Sequence, residues 1–370
     1  MIYKNALVCN ENFDFVKADI KIENGLIAEI GNIDGDGIDM SGKIIMPGFV
    51  DIHIHGCNNA DCTDGKENSV YEMSKSLAKH GVTSFCPTTM TLPEELLARS
   101  FSYVANAMGK EGGAYIHGIN MEGPFISQAK KGAQAGEHIK TPNVAFFRRL
   151  NSICSVKLCD IAPETEGAYE FIEEVKNECV ISAAHTTAGY DIVTAAIEKG
   201  LSHATHLFNA MTQFGSRDSG AVGAFFDDDK SYCELICDGI HISPATLRTA
   251  FKVLGEERTV VISDSMMAAD LEDGDYTLGG QKVIKNGYRA TLEDGTLAGS
   301  VTNLHAELLN LISFGIPKKQ AIKSVTINPA KSIGVDNICG SIATGKNADL
   351  VILNNTLENI EGVVIKGIIQ

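Results

Sequence analysis

Two histidines one residue apart, His53 and His55, close an apolar run made of Ile44, Ile45, Met46, Phe49 and Val50. In an extended strand, side chains i and i+2 leave on the same face, so the two imidazoles project together. Gly56 follows and ends the strand, which puts the pair at its carboxyl end. Paired imidazoles there suit a divalent ion such as zinc, which takes nitrogen ligands at about 2.0–2.1 Å. A lone His-x-His also describes a strand with two half-buried histidines, so further ligands must decide. Glu122, His185, His206 and Asp264 each close an apolar strand-like run of their own. Four histidines and two carboxylates on one rim make a one- or two-metal site, in which Glu122 could bridge ions roughly 3.5–4 Å apart. Singly, Glu122 could cap the turn before Gly123-Pro124 and His206 could be a hydrogen-bonded core histidine. Recurrence at one relative place on five strands argues against coincidence.

Asp264 directly follows Val260-Val-Ile-Ser263 and is expected at the mouth of the same site. A carboxylate there can accept a proton from attacking water and pass it to a leaving amine. A divalent ion would polarise the carbonyl under attack. Metal-assisted amide hydrolysis is the reaction class this set suits best, against the plainer reading of Asp264 as a helix N-cap.

These residues need a scaffold that ends many strands at one rim. Apolar runs at 45–55, 81–89, 114–122, 156–162, 179–185, 203–208, 232–238 and 259–264 alternate with helix-like stretches. Eight strands interleaved with helices predict an α/β fold, a parallel (β/α)8 TIM-type barrel over residues 45–334 with its chemistry at the strands' carboxyl ends. Before it, alternation on both sides of Asn24-Gly25 predicts a hairpin. After it, residues 335–370 turn strand-like again. Residues 1–44 and 335–370 are therefore expected to build one small β-sandwich domain from both chain ends.

A formal charge of −16 argues against nucleic acid or anionic membrane as a partner and requires a local cation for any anionic substrate. Met1-Ile-Tyr-Lys-Asn5 is no basic-then-apolar leader, and no apolar run nears the length of a membrane span. The ten cysteines form no Cys-x-x-Cys. Several lie inside apolar runs, as reduced buried thiols do. A cytoplasmic enzyme is the expectation.

The motifs Pro47-Gly-Phe-Val-Asp-Ile-His-Ile-His-Gly56, Met121-Glu-Gly-Pro124, Lys130-Lys-Gly132 and His206-Leu-Phe-Asn-Ala-Met211 occur in that order. They are followed by Asp238-Gly-Ile-His241, Ser263-Asp264, Leu297-Ala-Gly-Ser300 and Gly345-Lys-Asn-Ala-Asp-Leu350. Over nearly its whole length the chain thus resembles the amidohydrolase superfamily, in its branch of amino-sugar-phosphate deacetylases. The resemblance implies a barrel of the metal-dependent kind and hydrolysis of N-acetylglucosamine 6-phosphate to glucosamine 6-phosphate and acetate in amino-sugar catabolism. It implies that Glu122, His185 and His206 hold the principal metal and His53 and His55 a second, with Asp264 as acid/base residue. The ion would be zinc or iron, with manganese or cobalt as further candidates. His241 would contact the sugar and stabilise the oxyanion, where a donor contributes a few kcal/mol. Asn209 and Ala210 would meet the phosphate end, and Ala133 with Leu297, Ala298, Gly299 and Ser300 would line the pocket. Arg217, whose guanidinium fork suits phosphate, would come from the neighbouring subunit of a homodimer.

Two departures flank the sugar-phosphate pocket. Arg217-Asp-Ser-Gly220 stands where the branch usually has Arg-Glu-Pro-Gly, and Gln134 stands where histidine is common. They leave open a galactosamine 6-phosphate epimer or an unphosphorylated N-acyl sugar. A cyclic-amide hydrolase would commonly need a carboxylated lysine ending the fourth strand, and Leu158-Cys-Asp-Ile-Ala-Pro163 has none. A scaffold without chemistry would show an eroded ligand set, and this one is complete.

Overall fold

Asn24 and Gly25 both take positive φ, 52° and 80°, and turn the chain between the antiparallel strands Phe15–Glu23 and Leu26–Gly31. This is the mirror-image turn that matches strand twist and that Asn-Gly adopts at least cost. The computed structural model describes all 370 residues, Met1 to Gln370. In it this hairpin joins an eight-stranded sheet to which both ends of the chain contribute. Ile44–Pro47 pairs antiparallel with Leu350–Leu353, so the amino-terminal share of the sheet runs to Pro47, past the expected boundary at residue 44. Its core is a compact set that includes Tyr3, Val8, Ile20, Ile22, Ile45, Leu350 and Val364.

From Phe49 onward the fold is mixed α/β. Phe49–Ile54, Val82–Pro87 and Tyr115–Ile116 form one parallel sheet. Ile119–Met121, Val156–Ile161, Val180–Ala183, His203–Ala204, Tyr232–Leu235 and Thr259–Val261 form a second, each strand parallel to its neighbour. The expected single strand over 114–122 is broken after Ile116, where Gly118 takes a φ of 141°. The two sheets meet on both sides. Thr88 bridges Asn120 in parallel sense, and across the other seam Asp264 N–H donates to His53 O at 3.0 Å and His55 N–H to Ser265 O at 2.9 Å.

Helices fill the crossovers, among them Val144–Asn151, Pro244–Arg258 and Leu304–Ser313. Asn143, Ser243 and Asn303 cap these three by accepting a backbone N–H, and Pro244 occupies a first-turn position that its ring favours. A core of 78 buried residues lies mainly between strands and helices. Gly274–Leu278, Gln281–Asn286 and Arg289–Thr291 form a separate three-stranded antiparallel sheet inserted after Asp264. That sheet was not expected, although Gly279-Gly280 and Asn286-Gly287 mark both of its turns. No helix is long and apolar enough to cross a membrane. All ten cysteines are free, nine of them buried.

Candidate active site

His53 stands one residue before the end of the Phe49–Ile54 strand, and His55, Glu122, His185, His206 and Asp264 each stand one to three residues beyond a strand's end. All six are buried. Three of them, His185, His206 and Asp264, have positive φ of 44°, 32° and 48°. Side-chain-bearing residues rarely adopt that region, and strain of this kind gathers where a side chain must be aimed.

The six converge as two triads. Glu122 Oε1 lies 3.0 Å from His185 Nε2 and 3.1 Å from His206 Nε2, which are 3.2 Å from each other. Asp264 Oδ1 lies 3.3 Å from His55 Nε2 and 3.5 Å from His53 Nε2. Glu122 joins them, with Oε2 at 3.2 Å from His55 Nε2. Ligand atoms about 2.0–2.1 Å from one tetrahedral ion stand roughly 3.3 Å apart, so both triads have the spacing a shared ion needs. Proton positions agree with this use. His185 Nδ1 faces the Lys130 carbonyl at 2.8 Å, which can only accept, so in the neutral ring Nε2 carries the lone pair. His53 Nδ1 is held by Glu234 at 3.0 Å, and its buried Nε2 has no hydrogen-bond partner.

Charge points the same way. Burial works against protonated His53 and His55, yet the facing carboxylates outweigh it, holding His53 well above the usual imidazole range and His55 up to about 10. Glu122 and Asp264 are held below the ordinary carboxylate range by the same contacts, against burial. Carboxylate charge in so dry a place must be balanced, by imidazole protons or by a divalent cation that displaces them. These side chains form two groups able to hold metal ions.

A cavity of about 370 Å³ opens over the triads. Ala133, Asn209, Ala210, His241, Leu297 and Gly299 line it, with His55, Glu122, His185, His206 and Asp264. Ala298 and Ser300 do not, contrary to expectation. Ser300 is spent on the seam instead: its N–H donates to Asp264 O at 2.7 Å and its hydroxyl to Ser263 O at 2.6 Å. The Asn209 amide is turned toward the carbonyls of His206 and Leu207. Asp238 accepts from His241 Nδ1 at 2.7 Å, and although burial opposes it, this contact raises the His241 pKa. Arg217 is exposed and does not line the cavity of its own chain, whose one cationic lining side chain from lysine or arginine is Lys130.

Residues 44–370 match the amidohydrolase family. The chain belongs to this metal-dependent family. An amidohydrolase relative, the N-acetylglucosamine-6-phosphate deacetylase of Bacillus subtilis (strain 168), is 37% identical over 326 residues, 86% of this chain and 82% of its own. The N-acetylgalactosamine-6-phosphate deacetylase of Escherichia coli O157:H7 is 31% identical, covering 94% of this chain and 93% of its own. Among solved structures, a mutant N-acetyl-D-glucosamine-6-phosphate deacetylase of Mycobacterium smegmatis, in complex with N-acetyl-D-glucosamine-6-phosphate, superposes with a TM-score of 0.92. It is 27% identical, over 100% of this chain and 98% of that one.

Within this amidohydrolase site the sequence reading missed the supporting partners. Glu234, fully buried, holds both His53 Nδ1 and, at 3.2 Å, the backbone N–H of His206. A lone glutamate inside the apolar run Tyr232-Cys-Glu-Leu-Ile236 was its only signal. Met90, Leu278 and Thr296 also line the cavity, from segments without a motif.

Proposed function

We propose that this chain hydrolyses the acetamide of N-acetylglucosamine 6-phosphate, releasing acetate and glucosamine 6-phosphate. The observation that carries the reading is Glu122 shared between two histidine triads on the floor of a sugar-sized cavity, with His241 and Asp264 on its wall. Its relatives' named activities supply the substrate class. In this reading Glu122, His185 and His206 hold the principal ion, and His53, His55 and Asp264 the second. A bound divalent cation, zinc or iron first, with manganese or cobalt also suited by the donor set, supplies Lewis acidity at the carbonyl. Asp264, kept ionised by its neighbours, takes the proton from attacking water and returns it to the amine nitrogen. Asp238 accepts from Nδ1–H of His241 and favours the protonated ring, in which Nε2–H is free to meet the charge that grows on the carbonyl oxygen.

The wider reading takes the two parallel sheets as one (β/α)8 barrel over residues 45–334, supported by the seams at Thr88–Asn120 and at His53–Asp264. It takes 1–44 with 335–370 as a small β domain, supported by the sheet built from both ends. Asn209 and Ala210 would receive the phosphate together with Arg217 of a second copy, since Arg217 is exposed and does not line the cavity of its own chain. That arrangement makes the enzyme a homodimer. Ten free thiols suit a cytoplasmic setting.

The test is acetate release from N-acetylglucosamine 6-phosphate, N-acetylgalactosamine 6-phosphate and unphosphorylated N-acetylglucosamine, with divalent metal added back. The glucosamine phosphate should be turned over fastest, and Arg217→Ala should raise its KM by roughly 10–100-fold while sparing the unphosphorylated sugar. Preference for the galactosamine epimer would move the substrate to that of the second relative. Equal or absent turnover of all three would sink the reading.

A further inference from the structure

Gln134 is 2% exposed and reaches into the floor of the site. Its amide orientation is fixed without ambiguity. The Thr91 backbone N–H, which can only donate, lies 2.6 Å from one end of the amide, so that end is the oxygen. The nitrogen therefore faces Glu122 Oε2, at 2.6 Å, and its second hydrogen points toward Met90 Sδ at 3.6 Å. Thr91 can stand this close because Gly123 follows Glu122. A Cβ on Gly123 would fall 2.1 Å from Thr91 Oγ1.

Every polar atom of the side chain is thus accounted for, and none offers a lone pair to the triads. A histidine in the same place would present a ring nitrogen able to ligate. Gln134 presents only a donor, and it presents it to one particular oxygen of the shared carboxylate. With Oε2 engaged, Oε1 is the oxygen turned to His185 and His206. A carboxylate without such a tether can rotate about its last torsion, a broad and soft one.

We infer that Gln134 is a positioning residue that locks the rotation of Glu122 and so sets the affinity of the Glu122–His185–His206 group for its ion far more than that of the His53–His55–Asp264 group, whose carboxylate is Asp264 and which Glu122 meets through Oε2 at His55 Nε2, 3.2 Å away. The inference rests on the metal-site reading above. Partners of a ligand that lie outside the metal's own contacts typically contribute 10–100-fold in metal affinity.

The experiment is competitive zinc titration against a calibrated chelator on wild type and Gln134→Met, which keeps the volume and removes the donor. It is repeated in His55→Ala and in His185→Ala backgrounds, and each variant is melted in excess EDTA. Gln134→Met should weaken zinc 10–100-fold in wild type and in the His55→Ala background, and less than threefold in the His185→Ala background. Equal weakening in both backgrounds would make Gln134 a general packing residue and overturn the inference, as would no weakening in either. Wild type that takes up no zinc would overturn the metal-site reading itself, a result visible before any variant is compared.

Discussion

In the proposed mechanism Asp264 has two duties that pull against each other at one atom. Its Oδ1 belongs to a triad with His53 and His55, and the same carboxylate is the group proposed to move a proton. Asparagine keeps an oxygen for the triad and loses the basicity. Asp264→Asn should therefore lower kcat for acetate release by roughly 10²–10⁴-fold, the scale of a lost acid/base residue, with KM changed far less. Near-wild-type kcat at saturating substrate would remove Asp264 from the proton transfer. At this scale the sequence was most informative where chemistry dictates residue type. His53, His55, Glu122, His185, His206 and Asp264 were legible as donors ending apolar runs. Glu234 was not, because a buried carboxylate is recognised by the histidine it serves and that histidine lies 181 positions away. Ser300 was misplaced because the Leu297–Ser300 loop alternates, with Leu297 and Gly299 facing the cavity and Ser300 the seam.

At the scale of elements, the close fit of one junction matters most. Gly48 links Ile44–Pro47 of the end-built sheet to Phe49–Ile54 of the parallel one, and its N–H donates to Asp349 O at 2.9 Å. A Cβ there would lie 2.1 Å from Thr83 Oγ1 and 2.6 Å from Thr83 Cβ. Threonine is stiff at χ1 and this one is fully buried, so backbone must move. Gly48→Ala should destabilise by about 1–3 kcal/mol, as overpacked cores do, and adding Thr83→Ala should recover most of the loss. Urea unfolding of the three variants measures both steps. An unshifted midpoint in the single variant would mean that the two sheets part without cost. The parallel strands were legible because both faces are buried and the runs are continuously apolar. The three-stranded insertion at 274–291 was passed over despite its turn signals, since its strands mix exposed charge with isolated buried apolar residues, as at Lys282 and Val283.

At the scale of the whole molecule, His117 sits where the parts meet. It stands in the break between Tyr115–Ile116 and Ile119–Met121, with Cys339 Sγ 3.8 Å from its Nε2 and the Tyr115 ring against it at 5.1 Å. Lys366, from the carboxyl-terminal segment, places its ammonium 3.4 Å from the centre of that tyrosine ring. Burial, then the charges of Lys157 and Lys366, push the His117 pKa down from 6.5 to about 3. The unfolded chain therefore binds this proton first. The contribution of neutral His117 is fully present above about pH 6.5 and is lost progressively as pH falls toward 3. One pH unit of such a mismatch is worth about 1.4 kcal/mol, so between pH 6.5 and 5 the loss is roughly 2 kcal/mol. Asp349 opposes it, because burial raises its carboxyl to about 6 and favours the folded state as pH falls. The informative quantity is therefore the difference between wild type and His117→Gln, not either curve alone. Unfolding free energies from urea titrations at pH 7, 6 and 5 should show the wild type losing roughly 2 kcal/mol more than the variant over that range. Parallel curves would mean that His117 takes up its proton in the folded chain as readily as in the unfolded one, and that the junction between the two ends of the molecule is open to water.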